Sequence, residues 1–220
     1  MTRNHFQSRF LLLLFAALIL VLAGQASPGT ATITYRRVFK GSSPEFIEIK
    51  VGEQGKATYE IRQLGEDPGA EAFEVGPAVQ DKIFELSAEL KNFAMNDLDV
   101  RKRIANLGQK TFRYERGTEV HEVSFNYTLN ASANQLMQIF EGLARQQSDL
   151  VMLERRTKYD RLGVNDALRQ FESDLDHRLL PEPERLLSVL DQIAADSRFV
   201  EIARTRARAL AERIRTSRDQ

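Results

Sequence analysis

The chain has 220 residues, and its 31 basic and 31 acidic side chains cancel at neutral pH. That balance argues against a general nucleic-acid binder. The chain contains no Cys, which excludes disulfides, a thiolate nucleophile and a lipid-carrying cysteine. Its length suits one domain, or one domain with a helical extension, held together by packing alone.

Residues 1–26 read as an address. Arg3 and Arg9 precede an apolar run from Phe10 to Ala23, then Gly24 and Ala26 offer the small residues a signal peptidase needs, before Ser27 and Pro28. This is a secretory signal pattern. The run of about 14 residues is shorter than the roughly 20 that span a bilayer. Cleavage near Ala26 is expected, with an uncleaved anchor as the competing reading. It leaves 29 basic against 31 acidic residues, a net of about −2. Export without disulfides fits a bacterial periplasmic or secreted protein. Two glycosylation triplets, at Asn126 and Asn130, carry little weight because such triplets are common by chance.

Residues 27–131 are expected to form an α+β domain. Ile33, Tyr35 and Phe39 alternate with polar residues, as do Ile47, Ile49 and Val51, and then Ala57, Tyr59 and Ile61. These are three strands, the last two joined by a hairpin turn at Gly52-Glu53-Gln54-Gly55. Phe73 and Val75 make a short fourth. Val79, Ile83, Leu86, Leu90 and Phe93 fall on one face of a 3.6-residue period, which predicts a helix over Val75–Phe93 lying across the sheet. Pro77 suits its first turn. Leu98, Val100, Ile104 and Leu107 belong to a short helix or an ordered loop. A second hairpin, Thr111–Tyr114 with Val120–Leu129, turns around Gly117, and Val123, Phe125 and Tyr127 share a face of its second strand.

Residues 132–220 read as helix, packed on that domain or self-associating. Leu136, Ile139, Leu143, Leu150 and Leu153 space one long amphipathic helix, interrupted by Gln146 and ended or kinked by Gly163. Val164, Leu168, Phe171, Leu175 and Leu179 form a second stripe, and Pro181 and Pro183 punctuate the chain. Leu187, Leu190 and Ile193 make a short helix. Phe199, Ala203, Ala207, Leu210 and Ile214 make the last, capped by Asp196 or Ser197. The expected fold class is therefore α+β: a small antiparallel sheet of two hairpins plus a short strand, packed by one central helix, then an all-helical C-terminal region. In layout, the stretch from Ile33–Phe39 through both hairpins and the helix after Val75 resembles small α+β domains of uncharacterised exported bacterial proteins. The resemblance covers about half of the mature chain and implies no activity.

Chemistry is sparse. His121 shares a strand face with Val123 and Phe125, and His177 sits in a charged helix, so both read as structural. Two distant histidines without cysteine do not make a zinc site. Asp97 and Asp99 place two carboxylates in a loop that lacks the glycine and distal glutamate of a calcium loop. No metal or cofactor is expected. Lys110, Phe112, Arg113, Tyr114 and Arg116 alternate basic and aromatic residues, which on a sheet can stack nucleic acid. In an exported protein, ordinary strand alternation accounts for them better. From Arg198 to Gln220 seven Arg face Glu201, Glu212 and Asp219, a basic helix over an apolar stripe. Arg113 and Tyr114 on the strand, with Arg204, Arg208 and Arg215 on the helix, are the candidate interaction residues. The expected function is a non-enzymatic exported module that binds itself or a protein partner, with function on the far sheet face or in the helices after Ser132. Two alternatives are a small carboxylate-dependent hydrolase or ligand-binding enzyme using Asp97 and Asp99, and attachment to an anionic membrane surface through the Arg-rich helix.

Overall fold

The computed structural model describes residues 29–94, 97–100 and 102–218. The signal segment expected over residues 1–26 lies outside the described residues. Six strands form one antiparallel sheet: β1 (Thr32–Val38), β2 (Phe46–Gly52), β3 (Lys56–Arg62), β4 (Glu71–Glu74), β5 (Gln109–Arg116) and β6 (Glu119–Phe125). Their order across the sheet is β4-β3-β2-β1-β5-β6. The first strand thus sits inside the sheet and joins the two hairpins, with Tyr35 opposite Ile49 on one side and Phe112 on the other. Gly55, at φ +73°, turns the first hairpin, and a Cβ there would stand 2.6 Å from the Val75 carbonyl oxygen. Only glycine fits both demands.

Period-2 alternation sorts the two faces. Ile33, Tyr35, Ile47, Ile49, Val51, Phe112, Tyr114, Val123 and Phe125 are buried in one core. The opposite face is polar, and cross-strand ion pairs join Arg36 to Glu48 and Arg113 to Glu122. One face is therefore wet, as in many antiparallel sheets.

The first helix, α1 (Pro77–Glu89), buries Ile83, Leu86 and the following Leu90 against the apolar face. It is shorter than the expected span over Val75–Phe93. Lys91, Asn92 and Phe93 all take positive φ, between 49° and 64°, so the chain makes a left-handed turn where a further right-handed turn was expected. Such a conformation costs roughly 1–2 kcal/mol per residue. The turn is held because it brings Phe93 onto Phe112, with ring centroids 5.2 Å apart, and because the Asn92 Oδ1 accepts from Ser87 Oγ at 3.2 Å.

The sheet is not covered by α1 alone. The long helix α2 (Ala131–Tyr159), capped by Asn130 through its side chain, adds Ala133, Leu136, Phe140, Leu143 and Ala144 to the same core. Phe140 stacks on Tyr35 at 5.5 Å. Further along, Leu153 belongs to a second core with Val164, Leu168 and Phe171 of α3 (Val164–Asp176), Leu190 and Ile193 of α4 (Leu187–Ala195), and Ala203, Ala207 and Leu210 of α5 (Glu201–Arg218). A 3-10 turn, Pro183–Leu186, leads into α4. Among the described residues no helix is long and apolar enough to cross a membrane.

Between the two cores Gln146 is fully buried. Its Oε1 accepts the Glu182 N–H at 2.9 Å, and Glu182 Oε1 accepts the Gly76 N–H at the start of α1 at 2.6 Å. Replacing Leu86, 1% exposed, by Ala is expected to cost roughly 2–5 kcal/mol of unfolding free energy in urea titration, as for a fully buried leucine. A loss under about 1 kcal/mol would place Leu86 outside the core.

Candidate functional site

A cleft of about 520 Å³ opens where α2 leaves the sheet. Arg37, Phe39 and Ser42–Pro44 line it from the end of β1 and the following loop, and Ile47 and Ile61 from β2 and β3. Glu141, Arg145, Ser148, Asp149 and Met152 come from α2, and Ala167, Gln170 and Asp174 from α3. The α2 positions recur at three- and four-residue steps, which places them on one helix face. Phe39, Pro44, Ile47, Ile61 and Met152 supply apolar surface, Arg37, Glu141, Arg145, Asp149 and Asp174 supply charge, and the serines and Gln170 are neutral polar groups, a mixture typical of small-molecule sites in this size range.

The charged groups are organised in two matched pairs and one remainder. Arg37 Nη1 donates to Glu141 Oε2 at 3.0 Å, and Tyr35 Oη donates to the other Glu141 oxygen. Burial, then the Glu141 charge, push the Tyr35 phenol well above its ordinary range. Arg145 Nη1 donates to Asp174 Oδ1, and Gln170 Nε2 to Asp174 Oδ2, both at 3.2 Å. Asp149 is 8% exposed, and its Oδ2 is buried with no hydrogen-bond partner. Burial, then the negative charge of Asp174, lift its carboxyl from the ordinary 3.8 to about 7, against the opposing pull of Arg145. An ionised carboxylate only accepts hydrogen bonds, so the Asp149–Asp174 contact becomes a bond once one of the two holds a proton. Near pH 7 the Asp149 carboxyl is therefore about half protonated. The Arg37 Nε is also buried without a partner, a spare donor on the opposite wall.

The residues singled out from sequence lie elsewhere and do not converge. Tyr114 is buried at 3% exposure, stacked on His121 in the sheet core, while Arg113 faces the other way and pairs with Glu115 and Glu122. Successive strand residues point to opposite faces, so Tyr114 is corrected from interaction surface to core. Lys110 is likewise buried, donating to the carbonyls of Leu107, Gly108 and Asn126, and the basic-aromatic series is split between two faces. On α5, Arg204 pairs with Glu201 at 2.8 Å and Arg215 with Asp191 at 2.6 Å. Arg206 reaches Glu172, and Arg213 reaches Glu172 and Asp176. Arg208 is exposed and, among the described residues, makes no ion pair. Most of the basic face is thus matched within the chain.

Asp99 Oδ1 accepts the N–H groups of Asn126 and Tyr127, at 3.0 and 3.1 Å, and the Asp99 N–H bonds Asp97 Oδ1. Asp99 thus ties down the segment that follows β6, where Tyr127 lies outside the strand. Among the described residues no three His, Cys, Asp or Glu side chains gather to hold a metal ion. His121 Nδ1 lies 3.2 Å from the Asn92 carbonyl oxygen and His177 Nδ1 2.7 Å from that of Ser173, so both serve local structure.

The charged cleft residues of α2 and α3 are not marked in the amino-acid order because they sit on ordinary amphipathic helices. One signal pointed to them. Between Leu143 and Leu150 the apolar stripe of α2 fails, and Gln146, Gln147 and Asp149 are buried polar residues there. A polar gap in a long buried stripe costs free energy unless it serves a junction or a site. Set against known proteins, the chain matches no family model and no curated protein.

The linkage of Asp149 has a definite sign. Its folded pKa lies above the unfolded value, so its contribution is fully present below about pH 4 and is lost as pH rises through about 7. The loss amounts to at most roughly 4 kcal/mol. Asp149→Asn, which mimics the protonated carboxyl, is expected to gain stability relative to the parent chain as pH rises from about 4 to about 8. Urea midpoints of the two proteins measured across that range check it; a constant difference would place Asp149 in water.

Proposed function

We propose that the protein is an exported, non-enzymatic binding module of the bacterial envelope whose ligand site is the cleft between the β1–β2 loop, α2 and α3. The observation that carries this reading is the cleft itself: about 520 Å³, apolar along one wall, with a buried unmatched carboxyl on the other. Binding is favoured over hydrolysis because the remaining charged groups are already held. Arg37 and Tyr35 grip Glu141, and Arg145 and Gln170 grip Asp174, which suits recognition by fixed charges better than proton transfer by a free acid–base pair.

Thermal-shift screening of the purified chain against small cations, anions and neutral compounds tests the reading. At least one compound should raise the melting temperature, and Met152→Trp, which fills the cleft mouth, should abolish that rise. If every stabilising compound acts equally on Met152→Trp, the cleft is not the site. Export rests on the basic-then-apolar pattern of residues 1–26. Protein recovered from the envelope or medium of a bacterial host should begin near Ser27 by N-terminal sequencing; full-length chain in the cytoplasm would remove the assignment.

A further inference from the structure

We propose that the cleft takes a ligand with a primary ammonium head on an apolar body, the ammonium pairing with Asp149 and the body lying against Phe39, Ile47, Ile61 and Met152. The inference rests on the reading of the cleft as a binding site and adds the chemical class of its occupant.

Charge matching inside the cleft carries it. Three carboxyls and two guanidiniums line the space. Arg37 is joined to Glu141 and Arg145 to Asp174. Asp149 is the carboxyl left over: among the described residues it makes no ion pair, and its Oδ2 is buried without a hydrogen bond. When ionised, Asp149 is a buried acceptor without a donor, which is costly, and an incoming cation removes that cost, whereas an anion would meet Asp149, Asp174 and Glu141, with both guanidiniums already in ion pairs and only the buried Arg37 Nε unpartnered. An ammonium offers three donors from one compact charge. That suits a site holding one spare oxygen and the Asp174 carboxylate beside it, within reach of apolar walls.

The groups facing Asp149 set the pH behaviour. Arg145 on its own helix opposes its protonation, and Asp174 from α3 promotes it. Arg37 and Glu141 at the far side of the cleft compensate each other. Since the empty site holds a proton on Asp149 up to about pH 7, an ammonium displaces that proton to solvent as it binds. Affinity should therefore rise about tenfold from pH 6 to pH 8, both chosen about one unit from the carboxyl's midpoint.

Isothermal titration of the full chain with phenethylamine, phenethyl alcohol and hydrocinnamate tests this. The three share a phenyl body and differ in the charge of the head. The expected result has four parts: the amine binds at least about tenfold tighter than the other two; its affinity rises with pH; buffers of different ionisation enthalpy report a released proton; and Asp149→Asn, with an unchanged circular dichroism spectrum, loses both the preference and the pH dependence. Equal or better binding of the alcohol or the acid, sensitive to Met152→Trp, overturns the ammonium assignment and leaves the cleft as a site of another specificity. Amine binding that survives Asp149→Asn also overturns it. If none of the three binds, and no screened compound is sensitive to Met152→Trp, the assignment and the cleft reading fall together.

Discussion

Gln146 accepts the main-chain N–H of Glu182, and Glu182 accepts the N–H of Gly76 while holding Arg185 at 3.1 Å. These bonds tie the middle of the longest helix to the segment before α4 and to the start of α1. The Gln146 bond is buried and the two made by the Glu182 carboxylate are partly buried, so they are worth more than their surface equivalents and costly to leave unmade. The rest of the architecture follows from the demand they meet. α2 covers the sheet with its first half and packs the helical layer with its second, and its face must change partners midway. Gly142 allows the crossing, since a Cβ there would stand 2.7 Å from the Leu179 carbonyl oxygen and 2.9 Å from the Pro181 ring. Close approach at Gly142 and hydrogen bonding at Gln146 together dock the incoming chain.

The cleft is a by-product of that same change of partners. Where α2 parts from the sheet, neither core extends far enough to fill the gap, and the loop after β1 and the flank of α3 form its walls. A gap at such a position must be lined by groups that tolerate partial burial. The chain places charged residues there in pairs, which limits the desolvation cost. Asp149 is the exception, and its raised carboxyl pKa is the physical record of burial beside a like charge. Groups displaced in this way tend to cluster where a protein binds or reacts.

The Arg-rich helix shows the opposite outcome. Its composition suggested a cationic surface, yet Arg204, Arg206, Arg213 and Arg215 pair with acids on α5 itself, α3 and α4. Such pairs add little stability singly, but they neutralise the face that an anionic membrane would need. The apolar stripe beneath, with Ala203 and Ala207 fully buried, serves close helix packing.

Much of the fold was legible locally. Strand alternation, the glycine turns at Gly55 and Gly117 and the stripe of α1 each follow from a period or a backbone preference within a few residues, and the α+β class follows from them. The left-handed turn at Lys91–Phe93 was not legible, because its compensation, Phe93 on Phe112, comes from a strand far along the chain. Pairing of β1 with β5, which makes two hairpins into one sheet, likewise depends on contacts that no local pattern specifies. The site divides in the same way. The polar gap after Leu143 could be seen in the amino-acid order, but its meaning could not. Asp149 and Asp174 are 25 residues apart, and the Asp149 carboxyl is pushed up only when α2 and α3 lie side by side and exclude water. Amino-acid order by itself determined which faces are apolar and where the chain turns, since those depend on neighbours in sequence. Tertiary structure alone decided which charges meet, which are matched and which one is left over, since burial and Coulomb forces depend on distance through space.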